Sequence, residues 1–383
     1  MISNGSVFKL GFFSSVNSTN RYLGIWYTNI SAFTFVWVAN RQKPLNDSSG
    51  VLTISEDGNL VVLNGQKEIL WSSNVNNSFA NSSAQLLDLG NLVLKENTTG
   101  TILWESFNHP SHTLLPEMKL STNKRTGEKV QLTSWKSPSD PSIGSFTGGI
   151  YRKSLTQAFI WKDGRPYFRS GPWDGHQFIG SQKYPPFHDM VSIVQNQDGT
   201  TYLVSSFLFH SSHFVLTTQG NTEGRYWDSE KEDWKAVWKA INSVCDVYGT
   251  CGAFGSCNSM SSPICSCLEG FKPKKTEEWN RQNWTSGCVR RTPLQCGRLN
   301  TSGESGKMDA FLKLTMMKVP DFEEWSAAQE DECRQQCLQN CSCIAYAFDS
   351  STDCMTWTRS LIDTQKISYG SGVDLYIRVA HLE

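Results

Sequence analysis

All twelve cysteines of this 383-residue chain lie between Cys245 and Cys354, and the first 244 residues contain none. The front must therefore hold itself together by burial and hydrogen bonding, while the rear is stapled. Disulfides persist in oxidising compartments, which points to a secretory lumen or the outside of the cell. Zinc is the competing use of so much sulfur. Cys265-Ser266-Cys267 and Cys341-Ser342-Cys343 are separated by one residue, not by the two of a structural zinc knuckle, and no histidines cluster beside them. Disulfides are the expectation, and no metal is assigned.

Ten Asn-x-Ser/Thr sequons agree with that compartment: Asn4, Asn17, Asn29, Asn46, Asn76, Asn81, Asn97, Asn283, Asn300 and Asn340. Composition alone would give roughly five. Each is a candidate glycosylation site, since a glycan needs an exposed asparagine on a secreted chain. Lys plus Arg number 35 and Asp plus Glu 36, so no field favours nucleic acid, and no such partner is expected. Charged residues make up 19% and aromatics 12%, a β-rich balance. No run of 18 apolar residues could span a bilayer, and Met1 does not open a charged-then-apolar export signal. Secreted chemistry without either segment reads as a piece of a longer precursor, with any membrane attachment made through a segment outside it.

Trp37, Trp71 and Trp104 recur at intervals of 34 and 33 residues with matching flanks, Val36-Trp37-Val38, Leu70-Trp71-Ser72 and Leu103-Trp104-Glu105. Gly58-Asn59-Leu60-Val61-Val62-Leu63 and Gly90-Asn91-Leu92-Val93-Leu94 repeat 32 residues apart. Each phrase reads as a turn followed by a short strand. A fixed period marks one supersecondary unit used repeatedly. Three such units predict a threefold prism with the indoles meeting on its axis, sealing a core that has no disulfide.

Phe8-Lys9-Leu10-Gly11-Phe12-Phe13, Tyr22-Leu23-Gly24-Ile25-Trp26-Tyr27 and Val36-Trp37-Val38-Ala39-Asn40-Arg41 resemble the bulb-type, mannose-binding lectin domain of plant S-locus glycoproteins and S-domain receptor-like kinases. That resemblance implies a prism of three four-stranded sheets, here short of its first strands. The lectin sugar motif is Gln-x-Asp-x-Asn-x-Val-x-Tyr. Its first copy here keeps Asp57, Asn59 and Val61 beside Ser55 and Leu63; the second keeps only Asn91 and Val93. A degenerate sugar site at these five residues is one reading. The other takes Asn59 and Asn91 as turn residues beside Gly58 and Gly90.

Trp135-Lys136-Ser137-Pro138-Ser139-Asp140-Pro141-Ser142 and Phe168-Arg169-Ser170-Gly171-Pro172-Trp173 resemble the S-locus glycoprotein domain, which implies a second, divergent prism. By analogy its ligand loops would fall at 176–189 and 210–233, with tolerant surface loops as the plain alternative. Asp198-Gly199 between two β-like runs predicts a hairpin. His109 with His112, and His210 with His213, lack a third partner in sequence and are not expected to hold metal.

The cysteines fall into a cluster of seven, Cys245 to Cys296, and one of five, Cys333 to Cys354. Both counts are odd, so full pairing requires a bridge between them. The first cluster resembles an EGF-like module, implying Cys245–Cys257, Cys251–Cys265 and Cys267–Cys288. Asn242-Ser243-Val244 before it lacks the acidic pair of the calcium-binding subtype. The second resembles a PAN/apple module, a helix cradled by a small sheet, implying Cys333–Cys354 and Cys337–Cys343 and leaving Cys296–Cys341 as the crossing bridge. Ser326 with Gln329 predicts a capping box for its helix, and 375–379 its closing strand. Residues 270–300 carry seven Lys/Arg against two Asp/Glu, and 301–335 four against eight. Such runs are a docking face or solvated surface.

The expected fold is mainly β: two tandem bulb-lectin-like β-prisms, then a disulfide-rich EGF-like module and an α+β PAN/apple module. The implied boundaries are 1–118, 119–240, 241–292 and 296–380. The resemblance implies an extracellular ligand-recognition region of a receptor-like kinase, binding a peptide or other small signal and acting through homodimerisation by the PAN and lectin-like modules. A secreted mannose-binding lectin or soluble S-locus glycoprotein is the alternative. No catalytic residue and no cofactor is assigned, because no phosphate loop or nucleophile motif occurs.

Overall fold

A computed structural model describes residues 1–15, 18–76, 81–181, 191–205, 211–296 and 309–380. Asn17, Asn300, His210 and residues 182–189 lie outside them. The chain divides into two compact units. The first holds Met1–Ile150, Ile160–Arg165 and Met190–Lys239; the second holds Tyr151–Phe159, Pro166–Asp189 and Ala240–Glu383.

The first unit opens with three antiparallel sheets of three strands each: Phe8–Ser14, Arg21–Tyr27 and Phe35–Val38; Val51–Ile54, Leu60–Leu63 and Ile69–Ser72; Ser82–Leu86, Leu92–Glu96 and Ile102–Glu105. Each sheet has three strands, not the four implied by resemblance. In every sheet the third strand carries one extra residue, Val36, Leu70 or Leu103, immediately before its tryptophan. A bulge twists the strand and re-aims the side chain that follows. The three indoles meet edge to face, with ring centres 5.8, 6.0 and 5.4 Å apart. That T-shaped geometry is the one aromatic quadrupoles favour. Trp37 Nε1 donates to the His109 carbonyl at 2.8 Å, and the His109 ring stacks on Trp104. His109 is thus a lid on the triad.

Two four-stranded sheets complete most of this unit. One runs in the order Thr113–Leu114, Ser212–Leu216, Thr222–Asp228, Asp233–Lys239, the other Lys129–Val130, Lys119–Asn123, Thr200–Ser205, Val191–Gln195. The hairpin expected at Asp198-Gly199 forms, with Gly199 at φ +85°. Arg41 joins the first prism to the next stretch. Its guanidinium is buried and donates to the carbonyls of Pro141, Thr133, Ser134 and Ser142 at 2.5–3.3 Å.

The second unit is built on one eight-stranded sheet, in the order Cys265–Cys267, Gly255–Cys257, Thr364–Lys366, Ala310–Lys318, Val373–Val379, Ala345–Asp349, Asp353–Trp357, Glu324–Ser326. The closing strand expected at 375–379 forms as the last of the chain, Val373–Val379, and it lies in the middle of the sheet because it pairs on both edges. The two cysteine-rich modules share this sheet through a parallel pairing of Ser256 with Thr364. Six disulfides close: Cys245–Cys257, Cys251–Cys265, Cys267–Cys288, Cys296–Cys341, Cys333–Cys354 and Cys337–Cys343. Oxidised sulfurs offer no thiolate to a metal, although those of Cys251, Cys257 and Cys265 lie within 4.8 Å of one another.

Helix Glu330–Gln339 starts with three acidic residues, which suit its positive N-terminal end. The expected capping box does not form. Gln329 is the N-cap and makes no side-chain cap bond, because Ser326 is held in a strand opposite Cys354. The other helix end is capped from outside. Arg378 donates to the carbonyls of Cys337, Leu338, Asn340 and Cys343 at 3.1–3.4 Å, while its Nε reaches Asp309 at 3.1 Å. Asp309 also accepts from the backbone of Gln295 and Cys296, so one ion pair fixes both ends of the crossing disulfide.

Trp104→Ala removes one of the three meeting indoles and leaves a cavity. The expected loss is about 3–5 kcal/mol of unfolding free energy, read from urea denaturation followed by circular dichroism.

Candidate functional site

Asp57 and Asn59 of the sugar motif lie side by side, but they bond to each other. Asn59 is buried. Its Oδ1 accepts from Ser73 Oγ at 2.8 Å and from the Val75 amide at 2.6 Å. Its Nδ2 donates to Asp57 Oδ2 at 3.0 Å and to the Val75 carbonyl at 3.4 Å. A side-chain amide has two donors and two lone pairs, so its capacity is filled. Asp57 is exposed, but its carboxylate accepts from the Asn59 amide at 3.2 Å and from the Ser55 hydroxyl. Those bonds, the Ser55 hydroxyl first, hold it below the usual carboxylate range.

The second copy repeats the device. Asn91 Nδ2 donates to Glu105 at 2.7 Å, and Oδ1 accepts from Ser106 Oγ at 3.2 Å and the Phe107 amide at 3.3 Å. Val61 is 1% exposed and Val93 0%, so neither presents a face for a sugar ring. The serine two residues after each tryptophan completes the clasp by accepting from the next strand, Leu60 to Ser73 at 3.1 Å and Leu92 to Ser106 at 2.9 Å. In the first repeat Asn40 takes that part and accepts from Leu23 at 2.8 Å. Sequence reading missed Asn40, Ser73 and Ser106. The signal was there, since all three sit at two or three residues past a repeat tryptophan.

The second unit hides a charged centre that sequence reading also missed. Arg169 is fully buried. It donates to Asp363 Oδ2 at 2.9 Å, Gln157 Oε1 at 2.8 Å and the Val319 carbonyl at 2.5 Å. Lys318 Nζ reaches the same Asp363 oxygen at 3.0 Å. Gln157 hands on to Glu323 at 3.0 Å, and Tyr248 donates to Asp321 at 2.7 Å. Burial holds the Glu323 carboxyl above its usual range and the Lys318 ammonium below. All five charged groups are 7% exposed or less. Charges this buried are satisfied by one another and are out of a substrate's reach, so the centre fixes the fold. Arg169 lies inside the Phe168-Arg169-Ser170 phrase, which carried the resemblance without revealing its partner.

The two expected ligand loops are only partly ligand-like. Residues 212–216 are buried throughout, which removes them from any recognition face, and the exposed residues of 211–233 are Gln219 and the run 229–233. Near 176, Asp174 accepts from the His176 and Gln177 amides at 2.8 and 2.7 Å, and Ile179 is wholly buried. His213 is 1% exposed, lies 4.3 Å from Trp234 and 6.1 Å from Tyr27 between ring centres, and its Nδ1 has no hydrogen-bond partner among the described residues. Burial, helped by Arg225, lowers its pKa to about 3.

Three family models match the chain: D-mannose binding lectin at 34–136, S-locus glycoprotein domain at 168–275 and PAN-like domain at 296–364. Among curated proteins of Arabidopsis thaliana, the chain is 45% identical over its whole length to G-type lectin S-receptor-like serine/threonine-protein kinase At1g11300, and 44% identical to SD1-13 of the same description. In both cases it covers 47% of the relative. The chain thus spans about half the length of the curated relatives it matches. The solved two-domain fetuin-binding lectin of Scilla campanulata covers 63% of this chain, and 90% of itself, at 13% identity and a TM-score of 0.16, too remote to add to this.

The depressed His213 pKa makes stability depend on pH. The folded state resists the proton that the unfolded chain accepts, so stability is full above about pH 6.5 and is lost as pH falls toward 3. Between pH 7.5 and 5.0 the His213 share of that loss is about 2 kcal/mol. Urea unfolding of His213→Phe should show a pH-linked loss smaller by that amount; an unchanged loss would refute the assignment.

Proposed function

The chain belongs to the plant S-domain family of G-type lectin receptor-like kinases and S-locus glycoproteins, and we propose that it is an extracellular ligand-recognition region of such a receptor. One observation carries this: lectin, S-locus glycoprotein and PAN-like modules follow one another in a single chain that matches receptor kinases from its first residue to its last. The ligand is a peptide or other small signal. In the parent protein, binding shifts a monomer–dimer balance and brings kinase domains together. The sequons and six disulfides support an extracellular setting. No helix among the described residues is long and apolar enough to cross a membrane.

The geometry weighs against the mannose-lectin alternative. A hydroxyl-binding site needs polar groups that water, then sugar, can occupy. Here the amides of Asn59 and Asn91 are spent on Ser73, Val75, Ser106 and Glu105. Displacing such bonds without full replacement costs about 1–3 kcal/mol per buried group.

The test uses protein secreted from a eukaryotic host. On a glycan array it should show no mannose binding, and Asn59→Ala should lower unfolding free energy by about 1–3 kcal/mol without altering any array signal. Calorimetric titration with fractionated plant extracellular peptides should give saturable binding that weakens at least about tenfold when residues 229–233 become Gly/Ser. Clear mannose affinity abolished by Asn59→Ala would replace this reading with the lectin.

A further inference from the structure

Phe33 is 79% exposed, yet its ring is not isolated. Its centre lies 6.5 Å from Trp26 and 6.4 Å from Phe35, and Trp26 meets Phe35 edge-on at 5.6 Å. Phe35 is itself fixed by stacking on Phe13 at 3.8 Å. The Trp26 indole lies against the neighbouring strand because Gly11 has no side chain; a Cβ there would come within 3.0 Å of the ring. Lys9 Nζ stands 5.9 Å from the same ring. The exposed Phe33 and the half-buried Trp26 and Phe35 form an aromatic shelf at the surface, a contiguous apolar patch of the kind that marks an occupant.

The occupant is suggested by the loop that carries the shelf. Residues 28–34 connect strands Arg21–Tyr27 and Phe35–Val38, and the Tyr27 amide donates across their ends to Thr34 at 3.4 Å. The loop is pinned: Thr28 donates to the Val7 carbonyl at 2.8 Å, Ile30 is buried, and Thr34 Oγ1 accepts from Trp234 Nε1 at 2.6 Å. Within it sits the sequon Asn29-Ile30-Ser31, with Asn29 exposed. Asn29 is three residues from Trp26 and four from Phe33. At about 3.8 Å per residue, the Asn29 Cα lies at most about 11 Å from that of Trp26 and about 15 Å from that of Phe33, so a glycan on its side chain starts close to the shelf. The C–H face of a pyranose is apolar and weakly positive, and an aromatic face is its natural partner. Tethering makes the contact intramolecular, so attached carbohydrate outcompetes free sugar or a second copy of the chain.

We propose that Asn29 is glycosylated and that the first N-acetylglucosamine of its glycan packs on the Trp26–Phe33–Phe35 shelf. The chain then carries its own cover for this patch, which is thereby withdrawn from ligand binding and self-association.

The experiment is a double-mutant cycle on the full chain secreted from human cells, with glycopeptide mass spectrometry to read occupancy. Asn29→Gln should lower the melting temperature by about 2–4 °C in the native background but by under about 1 °C in a Phe33→Ala background. Trimming the native glycan to one N-acetylglucosamine should keep the melting temperature, and complete removal should lose the Asn29-dependent part. This second readout needs no substitution at the shelf. An unoccupied Asn29, additive effects of the two substitutions, or a Phe33→Ala effect that grows with protein concentration would each overturn the proposal, the last by assigning the shelf to a second copy.

Discussion

Short sheets gathered around an axis leave backbone amides and carbonyls unpaired at every strand end, and an interior cannot hold them bare. An unpaired buried peptide group costs about as much as the hydrogen bond it lacks. This chain answers at several such places with a buried polar side chain. Ser73 and Ser106 receive the amides of Leu60 and Leu92, and Asn40 receives that of Leu23. Arg41 collects four carbonyls between Thr133 and Ser142. Arg378 collects four at the end of helix Glu330–Gln339. Arginine suits this work because its planar fork offers five donors in fixed directions.

With those groups satisfied, the two units solve the core problem differently. The first has no cysteine and relies on the bulge before each tryptophan, which turns three large indoles toward one another. The second has one large sheet with little helix to cover it, and relies on six covalent closures together with the Arg169–Asp363–Lys318 cluster. Closing the 45-residue loop between Cys296 and Cys341 removes roughly 4 kcal/mol of unfolded-state freedom. Parallel pairing of Ser256 with Thr364 adds a hydrogen-bonded seam to that covalent one.

The legible part of this fold was whatever repeats. Tryptophan spacing, the Gly-Asn-Leu-Val phrases and cysteine parity all register as pattern, and they pointed to the prism and the stapled rear. The illegible part was whatever pairs once over a long distance. Arg169 meets Asp363 from 194 residues away, and Arg41 meets Pro141 from 100; a single chain holds no periodic trace of such contacts. Strand order left no trace for the same reason, since the central place of Val373–Val379 depends on two partners far apart in sequence. The helix cap at Ser326 failed because a local propensity lost to pairing with Cys354.

The asparagines of the sugar motif show how a binding site and a structural clasp compete for the same atoms. Asn59 can offer a ligand only what its neighbours leave free, and Ser73, Val75 and Asp57 leave nothing. Asn91 spends its Oδ1 on the same kind of clasp and its Nδ2 on Glu105. Where a motif asparagine is filled from within, as Asn59 is, a sugar hydroxyl must break a buried bond to form its own, at about 1–3 kcal/mol for each group left unpaired. In this prism the motif's Asp57 and Asn59 serve as fold chemistry, each holding the other and the turn around them. Polar capacity that still faces water is what a ligand can use, and turns and loops keep more of it than the strands that hold the prism shut.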